Sequence, residues 1–251
     1  MSKPPKHHKP TASSKKSTTV PSTHPSSRPV IFQGRDGLGA YTSDPTAFGP
    51  DRIIYHNADF VVINDLFPKS SVHLLILPRD PSKQLLHPFD AFEDVEFLEK
   101  CKQEVEKVKE IVAKELRRRY GKYSVQETAR NEAMDSDEVP DTLPPGRDWS
   151  KEVVSGIHAH PSMNHLHIHV LSVDRRSPCL KHRKHYNSFA TPFLVPLSDL
   201  PLKDDETGTW RRKEGFLNWD MKCWRCGNNF GNKFARLKEH LEEEFEGWKK
   251  V

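Results

Sequence analysis

The sequence predicts an α+β chain: an antiparallel sheet joined to one long helix, followed by a small cysteine-bearing unit. Three observations carry that expectation. Short apolar runs bounded by turn residues recur over 53–77 and 153–171, in the manner of strands. Residues 91–118 set Val95, Leu98, Cys101, Val105, Val108, Val112 and Leu116 three or four apart, with Glu and Lys on the other faces, as in an amphipathic helix. Cys223 and Cys226 form a Cys-x2-Cys pair, and His240 follows on a segment of helical pattern.

The 251 residues suffice for one medium domain with an appendage. A hydrophobic content of 35% and a mean hydropathy of −0.75 are low for a chain that is compact throughout. No apolar run approaches the length of a membrane span, and the N-terminus lacks an apolar secretory core, so neither insertion nor export is expected. The formal charge of +4 is unevenly spread. Residues 1–30 hold six Lys/Arg and no acid, which leaves 33 basic and 35 acidic residues elsewhere. Bulk charge therefore does not announce a nucleic-acid binder.

Taken in order, residues 1–30 are expected to form a disordered basic tail, fit for nuclear import, for tethering DNA, or for no fixed role. Ile53-Ile54-Tyr55, Phe60-Val61-Val62-Ile63 and Val72 to Leu77 read as strands. Asp65 and Lys69 lie between the last two; they could meet a ribose and a phosphate, or serve as ordinary turn residues. Asp90 is placed as the cap of the helix over 91–118, and Cys101 sits on its apolar stripe. Residues 125–151 lose periodicity and are expected to form an acidic flexible loop. The sheet resumes at Val153.

Then comes Asn164-His165-Leu166-His167-Ile168-His169-Val170-Leu171. Strand geometry puts His165, His167 and His169 on one face, with Leu166, Ile168 and Val170 on the other. Three chemistries fit such a row: a metal site, a nucleophilic imidazole with supporting neighbours, or a solvated, pH-sensitive strand. His158 lies upstream, and Ser162 in the small-residue turn between them suits an anion. Directly after the strand, residues 175–185 hold five Lys/Arg and two His, a patch suited to a polyanion.

Residues 198–216 are linker-like, and 217–251 form the last unit. Cys223, Cys226 and His240 have the layout of a zinc finger, with Glu244, one helical turn on, as fourth ligand and Glu243 as its competitor. A redox pair would need a strand–Cys-x-x-Cys–helix setting that the pattern lacks.

The run from Gly156-Ile157-His158 through Pro161-Ser162-Met163-Asn164 into the triad resembles the histidine-triad superfamily of nucleotide hydrolases and transferases. With Ser177-Pro178-Cys179-Leu180-Lys181 and His185-Tyr186-Asn187-Ser188-Phe189, the resemblance is to its aprataxin branch, over about residues 35–251. It implies a histidine-triad fold over 31–197 plus a finger whose two cysteines, histidine and glutamate hold structural zinc. It also implies a hydrolase that removes AMP from 5′-adenylated DNA. His167 would be the nucleophile and pass through a covalent histidine–AMP adduct, with His165 and His169 in support and His158 protonating the leaving phosphate. Asp65 and Lys69 would bind the nucleotide, Ser162 the phosphate, and Lys181, Lys184 and His185 the DNA end. No metal is needed for that chemistry. The implied partner is DNA, the product AMP, the state a monomer and the location nuclear. Guanylated 3′ ends are a second candidate substrate. The short tail holds no forkhead-associated domain, so docking through one is not implied. Two other readings remain: a general hydrolase of small adenylates, and a zinc-finger DNA-binding protein with an idle triad.

Overall fold

Short apolar runs assemble into one six-stranded antiparallel sheet in the computed structural model, which describes residues 34–203, 205–213 and 215–251. The tail expected over 1–30 lies outside the described residues. Helix α1 (Gly39–Ser43) precedes β1 (Ile53–His56), β2 (Phe60–Asn64) and β3 (His73–Pro78). Next come α2 (Pro88–Ala91), α3 (Val95–Tyr120), α4 (Thr128–Met134), β4 (Val153–His158) and β5 (Ile168–Ser172). The chain closes with α5 (Arg183–Ala190), β6 (Leu194–Val195), α6 (Glu206–Arg211), the hairpin β7 (Met221–Lys222) and β8 (Asn229–Gly231), and α7 (Phe234–Trp248). The strand order is β1-β2-β3-β5-β4-β6, so the histidine-bearing strand β5 is central.

The two faces of the sheet separate core from site. Leu166, Ile168 and Val170 join Val62, Leu74 and Ile76 in a cluster with the apolar stripe of α3, Cys101 included. On the opposite face Ile53, Ile63, Leu75 and His169 stand opposite one another on β1, β2, β3 and β5. Asn57 makes the β1–β2 turn, its side-chain oxygen accepting from the amides of Asp59 and Phe60 at 2.9 and 2.7 Å.

Three expectations are corrected. The long helix is capped by Asp94, whose carboxylate accepts from the Phe97 amide at 3.1 Å; Asp90 belongs to the separate turn α2, capped by His87. Residues 125–151 are not a loop throughout, since they contain α4 and bury Glu127, Arg147 and Trp149. Glu127 accepts from Arg117 at 2.8 Å and from the Trp149 indole at 2.7 Å, so an acid read as solvated is an interior acceptor. The stretch 198–216 is no free linker either, because Leu200 and Phe216 are buried in the main core.

The C-terminal unit is fused to the sheet domain. Phe245 and Trp248 of α7 enter the same core, and Trp248 meets Trp149 and Tyr120 edge-on. Arg147 donates to the Trp248 carbonyl at 2.7 Å, and the Trp248 indole donates to Glu152 at 2.7 Å. Helix α5 bridges the halves. Its Tyr186 hydroxyl donates to the Lys222 carbonyl at 2.8 Å and accepts from the Trp224 amide at 3.0 Å, while Asn187 donates to the carbonyls of Leu217 and Trp219.

Candidate active site

A pocket of about 400 Å³ opens over the Ile53–His169 row. The chain bends through 162–165 before β5 begins at Ile168, so His165 and His167 precede the strand expected to hold them, and all three triad histidines are buried. His167, His169, His158, Asp65, Lys69, Ser162 and His185, drawn from five separate stretches, all line the pocket. His165 does not line it and contributes its backbone: the His167 Nδ1 lies 2.7 Å from the His165 carbonyl oxygen. A carbonyl only accepts, so we assign the proton to Nδ1 and the exposed lone pair to Nε2.

A second relay fixes His169. The Lys69 amide donates to His73 Nδ1 at 3.1 Å, and His73 Nε2 lies 3.0 Å from His169 Nδ1. An amide has no acceptor capacity, so His73 Nε2 carries the hydrogen and gives it to His169. His169 Nε2 is then left as a donor, with no partner among the described residues. Asp65, His73 and His169 also offer three ligand atoms within 4.8 Å of one another, but both His73 nitrogens are engaged in this relay. Phe189 packs its ring against His73, His158 and His169 and walls the pocket.

Removal from water keeps these imidazoles neutral. Burial pushes His73 down to about 4 and His158 and His169 well below the ordinary 6.5, each helped by neighbouring histidines and Lys69. His167 is lowered by burial against the opposing pull of the His165 carbonyl and Asp65. Lys69 is also lowered by burial, partly offset by Asp65.

The basic patch divides. Arg175 is buried, donating to the Ser172 and Phe189 carbonyls at 2.8 Å each, and Arg176 pairs with Glu242 over the Phe245 ring. Lys181 and Lys184 stay exposed outside the pocket; Lys184 lines a neighbouring cleft with His160. Local sequence pattern gave no sign of a site role for Arg35 or Arg52 and little for His73, whose place inside the apolar run 72–77 was the available signal. Arg35 donates to the Ser162 carbonyl at 2.9 Å and Asn164 donates to the Arg35 carbonyl, so the segment before α1 straps the turn that precedes the triad.

At the other end of the chain Cys223, Cys226, His240 and Glu244 bring one ligand atom each to within 4.8 Å of one another. Cys226 Sγ lies 3.1 Å from His240 Nε2, which lies 3.2 Å from Glu244 Oε1. These separations suit a tetrahedral zinc site. Glu243 points outward, its side chain 82% exposed, so the geometry chooses Glu244. The knuckle turns at Gly227 with φ +77°, the left-handed conformation that glycine adopts without strain.

The HIT domain model matches residues 48–176, and the model described as C2HE / C2H2 / C2HC zinc-binding finger matches residues 190–247. Fold, histidine row and sequence together define a histidine-triad protein with a zinc-binding finger. The chain is 35% identical over 218 residues to the aprataxin-like protein of Schizosaccharomyces pombe, covering 85% of this chain and 82% of that one. It is 37% identical over 217 residues to the aprataxin-like protein of Saccharomyces cerevisiae, covering 84% and 95%. A solved structure of Hnt3 in complex with DNA and guanosine superposes with a TM-score of 0.67 at 33% identity, covering 86% of this chain and 99% of that one. The protein belongs to the aprataxin family.

Proposed function

We propose that the protein removes AMP from 5′-adenylated DNA ends and restores the 5′-phosphate. The observation that supports this most is the His167 Nδ1 contact with the His165 carbonyl, which leaves Nε2 as a nucleophile facing the pocket. Nε2 attacks the adenylate phosphorus. The phosphorus–oxygen bond to the DNA 5′-phosphate breaks, and the leaving phosphate takes a proton from His158. His158 starts neutral, and the substrate's phosphates favour its charged form once bound. Water then attacks the His167–AMP adduct and releases AMP. His169 Nε2, Lys69 and Ser162 balance charge on the phosphate oxygens, and Asp65 takes the ribose hydroxyls.

This sequence of steps needs no metal; zinc serves the finger, where it holds the knuckle to α7. His185 lines the pocket, Lys181 and Lys184 are exposed outside it, and the three suit the DNA backbone, in keeping with the DNA bound to the related Hnt3. Guanosine in that relative's structure favours 3′-guanylated ends as a second substrate. The protein acts as a monomer in the nucleus.

The test is AMP release from a nicked duplex bearing a 5′-adenylate, by the unaltered protein and by His167→Ala, with AMP-lysine as a competing substrate. Release from DNA that the substitution abolishes is expected. Preference for AMP-lysine would mean a general adenylate hydrolase instead. DNA binding without release from either substrate would mean a binding module.

A further inference from the structure

Arg225 reaches the ligand cluster of the finger from two sides. It stands directly before Cys226 in the knuckle, and both its main chain and its side chain meet ligand residues. Its amide donates to Cys223 Sγ at 3.4 Å. Its Nη1 donates to Glu244 Oε2 at 2.9 Å and to the Glu244 carbonyl at 3.3 Å. Oε1 of the same carboxylate faces His240 Nε2 at 3.2 Å. The guanidinium thus engages one carboxylate oxygen and leaves the other for the metal. The Glu244 side chain is 15% exposed and that of Arg225 34%, so the pair is partly shielded from water and salt. Gly247, three residues on along α7, makes the approach possible, because a Cβ there would lie 2.7 Å from Arg225 Nη1.

We propose that Arg225 is the positioning residue that makes Glu244 the fourth ligand, and that the finger is built for a carboxylate at this position and against an imidazole. The inference rests on the reading that the finger holds zinc. Two thiolates, a neutral imidazole and a carboxylate leave a bound divalent ion with one surplus negative charge, which the guanidinium offsets. Held at Oε2 by an N–H donor, the carboxylate presents Oε1 in one orientation, the service that hydrogen-bonding partners of metal ligands perform. A histidine at 244 would bind through one ring nitrogen and carry a hydrogen on the other. Arg225 only donates, so it would meet no acceptor on that ring and its charge would go unpaired. Removing the guanidinium removes that conflict.

Two measurements on the full-length, reduced protein test this without any substrate: competition for zinc against a chromophoric chelator, and the visible absorption of the cobalt(II)-loaded form. Arg225→Met is expected to weaken zinc binding by roughly 10- to 100-fold, the range for a partner of a metal ligand, and to shift the cobalt bands. Arg225→Lys keeps a charge and a donor and should recover part of the loss. Arg236→Met, which removes an exposed cation elsewhere on α7, should change neither readout. Gly247→Ala favours the helix but crowds the guanidinium, so it should weaken zinc binding and add nothing in the Arg225→Met background. Glu244→His should bind zinc poorly alone and regain affinity when combined with Arg225→Met. Unchanged affinity in Arg225→Met, or a Glu244→His protein that binds zinc equally well with and without Arg225, overturns the proposal. Should Arg225→Met fail to fold, unchanged affinity in Gly247→Ala overturns it. Failure of the unaltered protein to take up either metal overturns the zinc reading and the inference with it.

Discussion

His167 Nδ1 donates to the carbonyl of His165, two residues back in the turn that leads into β5, at 2.7 Å. The tautomer of His167, the proposed nucleophile, is therefore set by local backbone geometry, and no second side chain is needed to orient it. The first triad histidine acts here through its main chain. Substituting the His165 side chain by Gln is expected to cost AMP release far less than His167→Ala, which removes it entirely; steady-state rates on adenylated DNA measure the difference.

His73 fixes the third triad histidine through the Lys69–His73–His169 relay. In His73→Leu, His169 loses its donor, so its Nε2 no longer reliably offers a hydrogen to the phosphate. Loss of a buried hydrogen bond of this kind costs about 1–3 kcal/mol, hence a roughly 5- to 150-fold fall in kcat. An unaltered kcat in a folded variant would remove His73 from the site.

Acid should weaken the fold through the same residue. Burial holds His73 at about 4 against an ordinary 6.5, so between these values the unfolded chain binds the extra proton. Stability is complete above about 6.5 and is lost as the pH falls towards 4, by about 3 kcal/mol at most from this residue. Urea midpoints at pH 7.5 and 4.5 are expected to differ in that direction, and His73→Leu should flatten the difference. AMP release should also fall in acid, once His167 takes a proton and loses the Nε2 lone pair.

Glu244→Ala should release zinc, whereas Glu243→Ala should not. Glu244 Oε1 faces His240 Nε2 at 3.2 Å, and Glu243 points to solvent. Changes to outer-shell partners already cost metal sites roughly 10- to 100-fold in affinity, so losing a direct ligand should exceed that. Metal content after dialysis against a weak chelator reads the outcome.

Trp248→Ala should lower the thermal midpoint of the whole chain in one transition. The indole is 2% exposed, packs against Trp149 and Tyr120, and donates to Glu152 at 2.7 Å. A buried tryptophan truncation costs about 3–5 kcal/mol. Two separate transitions, with only the later one moved, would mean that the halves fold independently.

Local pattern made the sheet strands, the stripe of α3 and the zinc ligands legible, because each is written in spacing along the chain. Alternation put Leu166, Ile168 and Val170 in the core, where they lie, and His167 and His169 on the pocket side; His165 departs from it, because β5 begins only at Ile168 and His165 sits in a bend that does not line the pocket. What sequence withheld was non-local. The pairing of β3 with β5 sets Leu75 opposite His169 and brings His73 to the site, but the two strands are separated by the helices α2, α3 and α4 and by β4. Glu127 and Arg147 read as solvated charges because their partners, Trp149, Arg117 and the Trp248 carbonyl, come from elements distant in the chain or unremarkable in it. Asp94 lost to Asp90 in the cap assignment for want of any signal separating the turn α2 from α3.

Helix α5 turns His185, Ser188 and Phe189 to the nucleotide pocket while its Tyr186 and Asn187 grip the backbone of the finger. Eight residues thus belong to both halves at once. Inheritance cannot treat the halves as interchangeable cassettes: a finger grafted from another chain would arrive with a different seat for Tyr186 and tilt the pocket wall. A lesion near Trp219 or Lys222, far from any phosphate, would present as an enzyme that binds its nucleotide badly.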